Sequence, residues 1–146
     1  MSRTILIDGS SLVTGKLSVP GDKSISHRVA LLASVAEGRS VIEGFASSAD
    51  CRSTLDCLQR LGVEVERRND RVVIHGMGLR GYRPGAAAVE LDAGNSGSTM
   101  RMLSGLLAAH PFTSSLDGDR SLRRRPVARV IEPLRLMGCR IEAREG

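Results

Sequence analysis

The sequence predicts an α/β fold in which two similar halves follow one another along the chain. Three observations support this prediction. Apolar residues switch repeatedly between a period of two, typical of strands, and the three-and-four spacing of helices. Glycine or proline stands at the end of most of these segments. The order of segments then repeats in the second half, which predicts two copies of one βαβαββ-type unit, the second incomplete.

The first half begins with alternation over Leu12–Val19, which predicts a strand ended by Pro20 and Gly21. From Ser24 the apolar spacing becomes helical and predicts a helix closed by Gly38. Its apolar face is expected to hold Ile25, Val29, Leu32, Ala33 and Ala36. The other predicted elements of this half are a strand over Ser40–Phe45, a helix capped by Ser47, Ser48 or Asp50 and ended by Gly62, and strands Val63–Glu66 and Val72–His75 joined by a turn at Asn69 and Asp70.

The second half repeats this order after a glycine-rich loop over residues 76–88. Arg28 and Arg101 lie 73 positions apart, at equivalent places in the two halves. The predicted elements are a strand over Val89–Asp92, a helix opened by Gly94–Gly97, a strand over Ser114–Asp117, a helix with Pro126 in its first turn and an apolar stripe of Val127, Val130, Ile131, Leu134 and Met137, and a strand over Cys139–Ala143. We divide the chain into a strand segment (1–20), a first unit with its loop (21–88) and a truncated second unit (89–146).

Composition narrows the class of protein. With 41% hydrophobic and 25% charged residues, the 146-residue chain is that of a globular protein, and no apolar run is long enough for a membrane span or a signal peptide. The three cysteines and three histidines show no metal-ligand spacing, so we expect free thiols and no metal site. The formal net charge of +5 suits small anionic substrates or nucleic acid, but an aromatic content of 2% offers little for stacking bases.

The first candidate site is the start of the first predicted helix, Gly21–Arg28. The N–H groups and the dipole of a helix start favour an anion there. Lys23 adds a point charge, Ser24 a hydroxyl donor and Arg28, one turn further on, a bidentate guanidinium. Together these groups can hold a phosphate and a carboxylate side by side. The alternative interpretation is a solvated helix start with an ordinary serine cap.

The second candidate site, Asp92–Arg101, is the matching helix start in the second half. Gly94 and Gly97 let a ligand approach the backbone closely. The neutral donors expected there are Asn95, Ser96, Ser98 and Thr99. The alternative interpretation is a glycine-rich turn with a Ser/Thr cap, and Arg101 is equally compatible with a structural ion pair.

The third candidate site, Gly118–Pro126, has four arginines within six positions just before a predicted helix. A charge run of this kind is usually only a solvated surface. Here it follows two helix starts suited to anions, and this convergence favours a shared basic cleft. We expect Arg125, next to Pro126, to lie closest to a ligand.

Taken together, Gly21–Arg28, Asp92–Arg101 and Asp117–Pro126 resemble, in order and spacing, the three N-terminal signatures of the 5-enolpyruvylshikimate-3-phosphate synthase family. The resemblance covers the whole chain. The related UDP-N-acetylglucosamine enolpyruvyl transferases share the fold, but their pattern has Lys-Asn where this chain has Lys23 and Ser24. They are therefore the less similar family.

The resemblance implies an inside-out α/β fold made of βαβαββ units, and a cytoplasmic transferase of the shikimate pathway of aromatic amino-acid biosynthesis. This family joins phosphoenolpyruvate to the 5-hydroxyl of shikimate 3-phosphate and releases phosphate, without a metal or organic cofactor. By similarity, Lys23 contacts both substrates, while Ser24 and Arg28 hold shikimate 3-phosphate. The residues that line the phosphoenolpyruvate pocket by similarity are Asn95, Gly97 and Arg125. The inhibitor glyphosate occupies that same pocket, and glycine at position 97 is the residue associated with sensitivity.

The resemblance also implies that much of the site is missing. Two of the six units of a family member are present, and the acid–base residues belong to the absent part. We therefore expect the chain alone to be inactive. It is then a truncated, split or proteolysed N-terminal part, and in the split case a complementary C-terminal chain is its partner. In the family the first strand, roughly residues 5–19, lies partly in the other domain. The alternatives are a stand-alone anion-binding module and a basic nucleic-acid-binding domain. Salt dependence distinguishes these two, because the affinity for nucleic acid falls steeply with salt and the affinity for a phosphate ligand in a pocket falls less.

Overall fold

The structure, a computed structural model, describes residues 5, 6, 9, 12, 14–85 and 87–143. In chain order, the helices and strands of this part are α1 (Lys23–Val35), β1 (Glu37–Ile42), α2 (Ala49–Arg60), β2 (Glu64–Arg68), β3 (Arg71–Met77), β4 (Ala88–Asp92), α3 (Gly97–Leu107), β5 (Thr113–Asp117) and α4 (Ala128–Leu136). A short 3-10 helix, Leu122–Arg124, precedes α4. The mixture of helices and sheets confirms the predicted α/β class.

The strands form two sheets. β3 lies between β1 and β2 and is antiparallel to both. The hairpin between β2 and β3 turns at Asn69 and Asp70, as predicted, and Asn69 has a φ of 55°, a conformation that asparagine adopts more readily than most residues. β4 and β5 pair in parallel and are connected through α3. α3 thus starts directly after β4, where the second motif lies.

One buried cluster joins the two sheets. α1 and α2 contact the three-stranded sheet, in which Val72 and Ile74 are fully buried. α2 also packs against β4 and α3, so that Leu58 belongs to the same cluster as Leu91 and Leu103. α2 therefore packs against elements of both halves of the chain.

Two of the predicted strands are absent from the described residues. Residues 12 and 14–19 run without strand pairing, and Leu17 is 84% exposed; position 13 lies outside the described residues. Cys139–Ala143, also predicted as a strand, forms no strand either. A strand needs a neighbour for its backbone hydrogen bonds, and no described strand lies alongside either segment. Alternation predicted the local pattern but not the pairing.

The apolar face predicted for α1 is partly wrong. Ile25 and Leu32 are 65% and 68% exposed, whereas Ala33 is buried. The buried side chains of α1 are Ser26, His27, Ala30, Leu31, Ala33 and Ser34. Small residues let α1 approach its neighbours closely, and polar residues are buried where they find hydrogen-bond partners. Met137, predicted in the apolar stripe of α4, is likewise exposed.

The three cysteines are free thiols, as predicted. Burial raises the pKa of Cys57 to about 12, so this thiol stays protonated and unreactive at neutral pH. Among the described residues, no helix has the length and apolar content needed to cross a bilayer.

Candidate functional site

α1 begins within the first candidate motif. Asp22 caps the helix by accepting a hydrogen bond from the Ile25 N–H at 2.7 Å, so the cap is an aspartate and not a serine. Lys23 Nζ donates to Asp50 Oδ2, on α2, at 2.8 Å. This hydrogen bond and the carboxylate charge raise the pKa of Lys23. The ammonium is therefore charged and held where α1 meets α2, with 52% of the side chain exposed.

Ser24 and Arg28 lie on the exposed side of α1. Arg28 Nη1 donates to the Ser24 carbonyl oxygen at 3.2 Å, which keeps the guanidinium against the start of the helix. Together with Lys23 they place two cations and a hydroxyl within the first two turns of one helix, on a surface that an anion can reach.

α3 begins within the second motif, where Ser96 Oγ accepts a hydrogen bond from the Thr99 N–H at 3.1 Å. Gly97, the first residue of the helix, is buried next to two arginines. A Cβ on Gly97 would lie 3.1 Å from Arg101 Nη1 and 3.2 Å from Arg125 Nη1. Because glycine has no side chain, both guanidinium groups can approach the backbone of this helix start.

Arg125 follows the 3-10 helix and is held by a series of hydrogen bonds. Its Nη2 donates to Asn95 Oδ1 at 2.5 Å, and Asn95 Nδ2 donates to Asp119 Oδ2 at 2.6 Å. Asp119 Oδ1 also accepts from the Leu122 N–H at 2.7 Å. These hydrogen bonds, above all the one from Asn95, hold the pKa of Asp119 below its usual value. Both ends of the Asn95 amide are thus engaged, and Arg125 keeps Nη1 beside Gly97.

The structure brings four of the six candidate residues to one place. Arg125 adjoins Gly97 and is held by Asn95. Lys23 is joined to the same helix start through Asp50, whose carboxylate accepts from Lys23 Nζ and whose carbonyl oxygen lies 3.4 Å from Thr99 Oγ1 in the first turn of α3. The other two candidates lie within the first two turns of α1. Two cations at two helix starts that are joined through Asp50 form an arrangement that can bind an anion.

The remaining arginines of the third motif are not equivalent to Arg125. Arg123 makes a bidentate ion pair with Asp117, with Nε–Oδ1 at 2.9 Å and Nη2–Oδ2 at 2.6 Å. This hydrogen-bonded pair raises the pKa of Arg123. Arg120 and Arg124 are exposed and line, with Arg125, an open concavity of about 650 Å³. Arg123 is thus engaged with a carboxylate, and Arg125 is the member of the run that belongs to the site described above.

Ser96 and Thr99, predicted as donors to a ligand, are fully buried and bonded inside the protein, so that prediction is wrong. Thr99 Oγ1 donates to Ser96 Oγ at 2.8 Å and lies 2.7 Å from Thr54 Oγ1. Sequence reasoning missed Thr54 and also His27, whose Nδ1 lies 2.7 Å from Thr54 Oγ1. No local pattern marks these contacts, because they join residues 27 and 45 positions apart.

A separate group of ligand-type side chains lies on the three-stranded sheet. The carboxylates of Glu64 and Glu66 and the imidazole of His75 lie within 4.8 Å of one another, and His75 Nε2 is 3.8 Å from Glu66 Oε1. The strand register explains this proximity, because Glu64 stands opposite His75. Both glutamates are exposed, and exposed pairs of this kind are common on protein surfaces.

Fold and candidate site together describe an α/β protein with basic side chains gathered at two of its helix starts. The sequence profile of EPSP synthase (3-phosphoshikimate 1-carboxyvinyltransferase) matches residues 7–146. The chain belongs to the EPSP synthase family, a family of transferases. The resemblance of the three motifs is thereby confirmed.

Individual relatives agree with this assignment. The 3-phosphoshikimate 1-carboxyvinyltransferase of Solibacter usitatus is 53% identical over 139 residues, which are 95% of this chain and 32% of that protein. The enzyme of Geobacillus kaustophilus is 51% identical over 136 residues, 93% of this chain and 31% of that protein. The solved structure of EPSP synthase from Acinetobacter baumannii matches with a TM-score of 0.80 at 44% identity, over 86% of this chain and 28% of that one. The chain thus spans about a third of the length of the curated relatives it matches.

Proposed function

We propose that this chain is the N-terminal part of a 3-phosphoshikimate 1-carboxyvinyltransferase and forms part of its binding site for phosphoenolpyruvate and shikimate 3-phosphate. The reaction transfers the enolpyruvyl group of phosphoenolpyruvate to the 5-hydroxyl of shikimate 3-phosphate and releases phosphate. The observation that carries the proposal is the junction of two helix starts, where Arg125 Nη1 lies beside the buried Gly97 and Lys23 is held by Asp50, which also contacts Thr99 of α3. Both substrates are phosphorylated carboxylates, and a cleft with fixed cations and close backbone approach suits them.

Each candidate residue has a role in this proposal. Lys23 contacts both substrates: it is the first residue of α1, and Asp50, which holds it, also contacts the first turn of α3. The residues that hold shikimate 3-phosphate are Ser24 and Arg28, and those that form the phosphoenolpyruvate pocket are Asn95, Gly97 and Arg125. Because both ends of the Asn95 amide are engaged, Asn95 contributes by orienting the Arg125 guanidinium.

Turnover needs more than this chain. The vinyl CH₂ carbon of phosphoenolpyruvate is protonated, the 5-hydroxyl attacks the adjacent carbon and loses its proton, and a tetrahedral intermediate forms. This intermediate then loses phosphate and a methyl proton, which restores the vinyl group. Each proton transfer requires an acid or base positioned on the reacting atoms, and these groups are assigned to a complementary C-terminal part. The proposed contribution of this chain is substrate binding and charge stabilisation, in the cytoplasm and without a metal or organic cofactor.

Glyphosate is proposed to bind in the phosphoenolpyruvate pocket of the completed enzyme. Gly97 supports this proposal, because a side chain at this position would meet the Arg101 and Arg125 guanidinium groups. Glycine lets both guanidinium groups approach this helix start, where an inhibitor shaped like the substrate would meet the same cations.

A second candidate function is a stand-alone anion-binding module without turnover. It is favoured by the fact that four of the six candidate residues meet within this one chain. Binding of shikimate 3-phosphate in a pocket should weaken moderately with salt, whereas binding of nucleic acid by the exposed arginines would fall steeply.

The test measures phosphate release from phosphoenolpyruvate and shikimate 3-phosphate, with the chain alone and with the C-terminal two thirds of the Solibacter usitatus enzyme added. Activity in the mixture only is the expected result. A second outcome is that the mixture shows no turnover, but the chain binds shikimate 3-phosphate saturably and Arg28→Ala abolishes this binding. That outcome would support the anion-binding module instead of the transferase. Arg39→Ala, which removes an exposed arginine of β1, is the matched control. Neither turnover nor binding in a folded sample would refute both functions.

A further inference from the structure

A buried series of hydrogen bonds lies behind the two helix starts. His27 Nδ1 lies 2.7 Å from Thr54 Oγ1, and Thr54 Oγ1 lies 2.7 Å from Thr99 Oγ1. Thr99 Oγ1 donates to Ser96 Oγ at 2.8 Å. All four residues are 0% exposed. They are referred to below as the hydroxyl chain.

The direction of donation in the hydroxyl chain follows from counting protons. A threonine hydroxyl carries a single proton. Thr99 gives its proton to Ser96 Oγ at 2.8 Å, with the Asp50 carbonyl oxygen at 3.4 Å as a longer second acceptor. Thr99 therefore accepts from Thr54, and Thr54 accepts from the His27 Nδ1–H. His27 is then a neutral imidazole whose buried Nε2 finds no partner among the described residues. A second proton would leave an unpaired N–H at that atom, and burial accordingly lowers the pKa of His27.

The hydroxyl chain connects the three helices that carry the site. His27 lies one turn after Lys23 on α1, and Thr54 lies on α2. Ser96 is the N-cap of α3, directly before Gly97. Apolar contacts between helices are non-directional, whereas hydrogen bonds constrain both length and angle. Two series of polar contacts cross from α1 through α2 to α3 within the described residues: the buried hydroxyl chain, and a more exposed one in which Asp50 bonds Lys23 Nζ through its carboxylate and Thr99 Oγ1, 3.4 Å away, through its carbonyl oxygen. The hydroxyl chain has the shorter contacts to α3 and is fully buried, so we expect it to constrain the separation of the two helix starts more closely.

We propose that the hydroxyl chain is a positioning element, which holds the starts of α1 and α3 at a fixed separation so that Lys23 and Arg125 act on the same phosphoenolpyruvate. This inference rests on the proposed function. Thr54 and Thr99 are positioning residues: they are buried behind the helix starts and act through Lys23 on one side and Gly97 on the other. Small displacements of binding groups are costly in such a site, up to about 100-fold in rate for a shift of about 1 Å.

The experiment compares Thr54→Val, which removes the central hydroxyl at nearly constant shape, with Thr54→Ser, which keeps it. Tyr82→Phe is the matched control, because it deletes a buried hydroxyl that bonds Ser34 Oγ at 2.6 Å near the other end of α1. Binding of shikimate 3-phosphate, and of phosphoenolpyruvate in its presence, is measured by NMR titration of the 146-residue chain. The amide shifts of Lys23 and Gly97 are recorded without ligand.

We expect Thr54→Val to weaken phosphoenolpyruvate binding by about tenfold, because that ligand needs both helix starts, and to change shikimate 3-phosphate binding much less. Thr54→Ser should restore the affinity for phosphoenolpyruvate. Tyr82→Phe should leave this affinity unchanged, although it lowers the stability of the chain about as much as Thr54→Val does. An unchanged phosphoenolpyruvate affinity in a destabilised Thr54→Val chain would overturn the inference and leave the hydroxyl chain a purely structural feature.

If the unaltered chain binds neither ligand, the proposed function fails, and the ligand-free amide shifts decide the inference. Positioning is supported if the amide shifts of Lys23 and Gly97 both change in Thr54→Val. The same shifts should return to their original values in Thr54→Ser and stay unchanged in Tyr82→Phe. Unchanged shifts at either helix start would contradict it.

Discussion

The Lys23 ammonium and the Asp50 carboxylate form an ion pair 2.8 Å long, which joins the first residue of α1 to the first turn of α2. Solvent screens an exposed pair of this kind, so it adds little to stability. It does hold the cation in place at the start of α1. A preorganised cation needs little rearrangement to stabilise an anion, which favours binding.

Lys23→Met is expected to weaken shikimate 3-phosphate binding by at least about tenfold, because it removes a charge-assisted contact to an anion. The thermal midpoint should hardly move, since the ion pair with Asp50 is exposed. The control is Lys16→Met, which neutralises the other lysine of the chain, also exposed. Calorimetric titration and thermal unfolding measure the two effects. Equal losses in the two variants would mean that only net charge matters.

Gly97→Ala is expected to reduce affinity for phosphoenolpyruvate and for glyphosate. The new Cβ would lie 3.1 Å from Arg101 Nη1 and 3.2 Å from Arg125 Nη1, so both guanidinium groups must move by a few tenths of an ångström. Gly105→Ala is the control, because it lies on the same helix with open space around its Cβ position. It should stabilise the fold by ~0.5–1 kcal/mol and leave binding unchanged. Unaltered glyphosate inhibition of a completed enzyme carrying Gly97→Ala would show that Gly97 lies outside the pocket.

Arg125→Gln and Arg123→Gln, two positions apart, are expected to differ. Arg125 has Nη1 beside Gly97, whereas Arg123 is engaged by Asp117 through two hydrogen bonds. We expect Arg125→Gln to weaken phosphoenolpyruvate binding by about tenfold or more, and Arg123→Gln by no more than about twofold. Titration of both variants at one ionic strength tests this difference. Similar losses would indicate a diffuse basic surface.

Stability should depend on pH through His27. Burial is the largest cause that lowers its pKa below 6.5; Asp50 opposes this effect, and Lys23 and Arg28 add to it. The unfolded chain therefore binds a proton at higher pH than the folded chain. The contribution of neutral His27 to stability is complete above about pH 6.5, falls as the pH drops toward the lowered folded-state pKa, and changes no further below it.

Denaturant unfolding between pH 5 and pH 8 measures this dependence. His27→Gln should remove most of the slope. A slope that persists in His27→Gln would assign the titration to another group.

Local signals predicted much of this protein correctly. The spacing of apolar residues located the helices now seen as α1 to α4, and the Asn69–Asp70 signal located the hairpin. The three motifs were found because a helix start needs a cap, a glycine for close approach or a cation within a few residues. Such features depend on neighbours along the chain, so they can be read without knowing the fold.

The sequence did not indicate which of those features would meet, because that depends on partners far apart in the chain. Alternation over Leu12–Val19 could not show that no described strand pairs with it. Helical spacing could not decide which side of α1 is buried, since both sides carry apolar residues. Thr99 was predicted as a ligand donor and is instead a buried partner of Thr54, a contact created only when α2 packs against α3. Order, caps and charges thus come from local chemistry, and tertiary packing, which alone brings distant polar groups within hydrogen-bond distance, assembles the site.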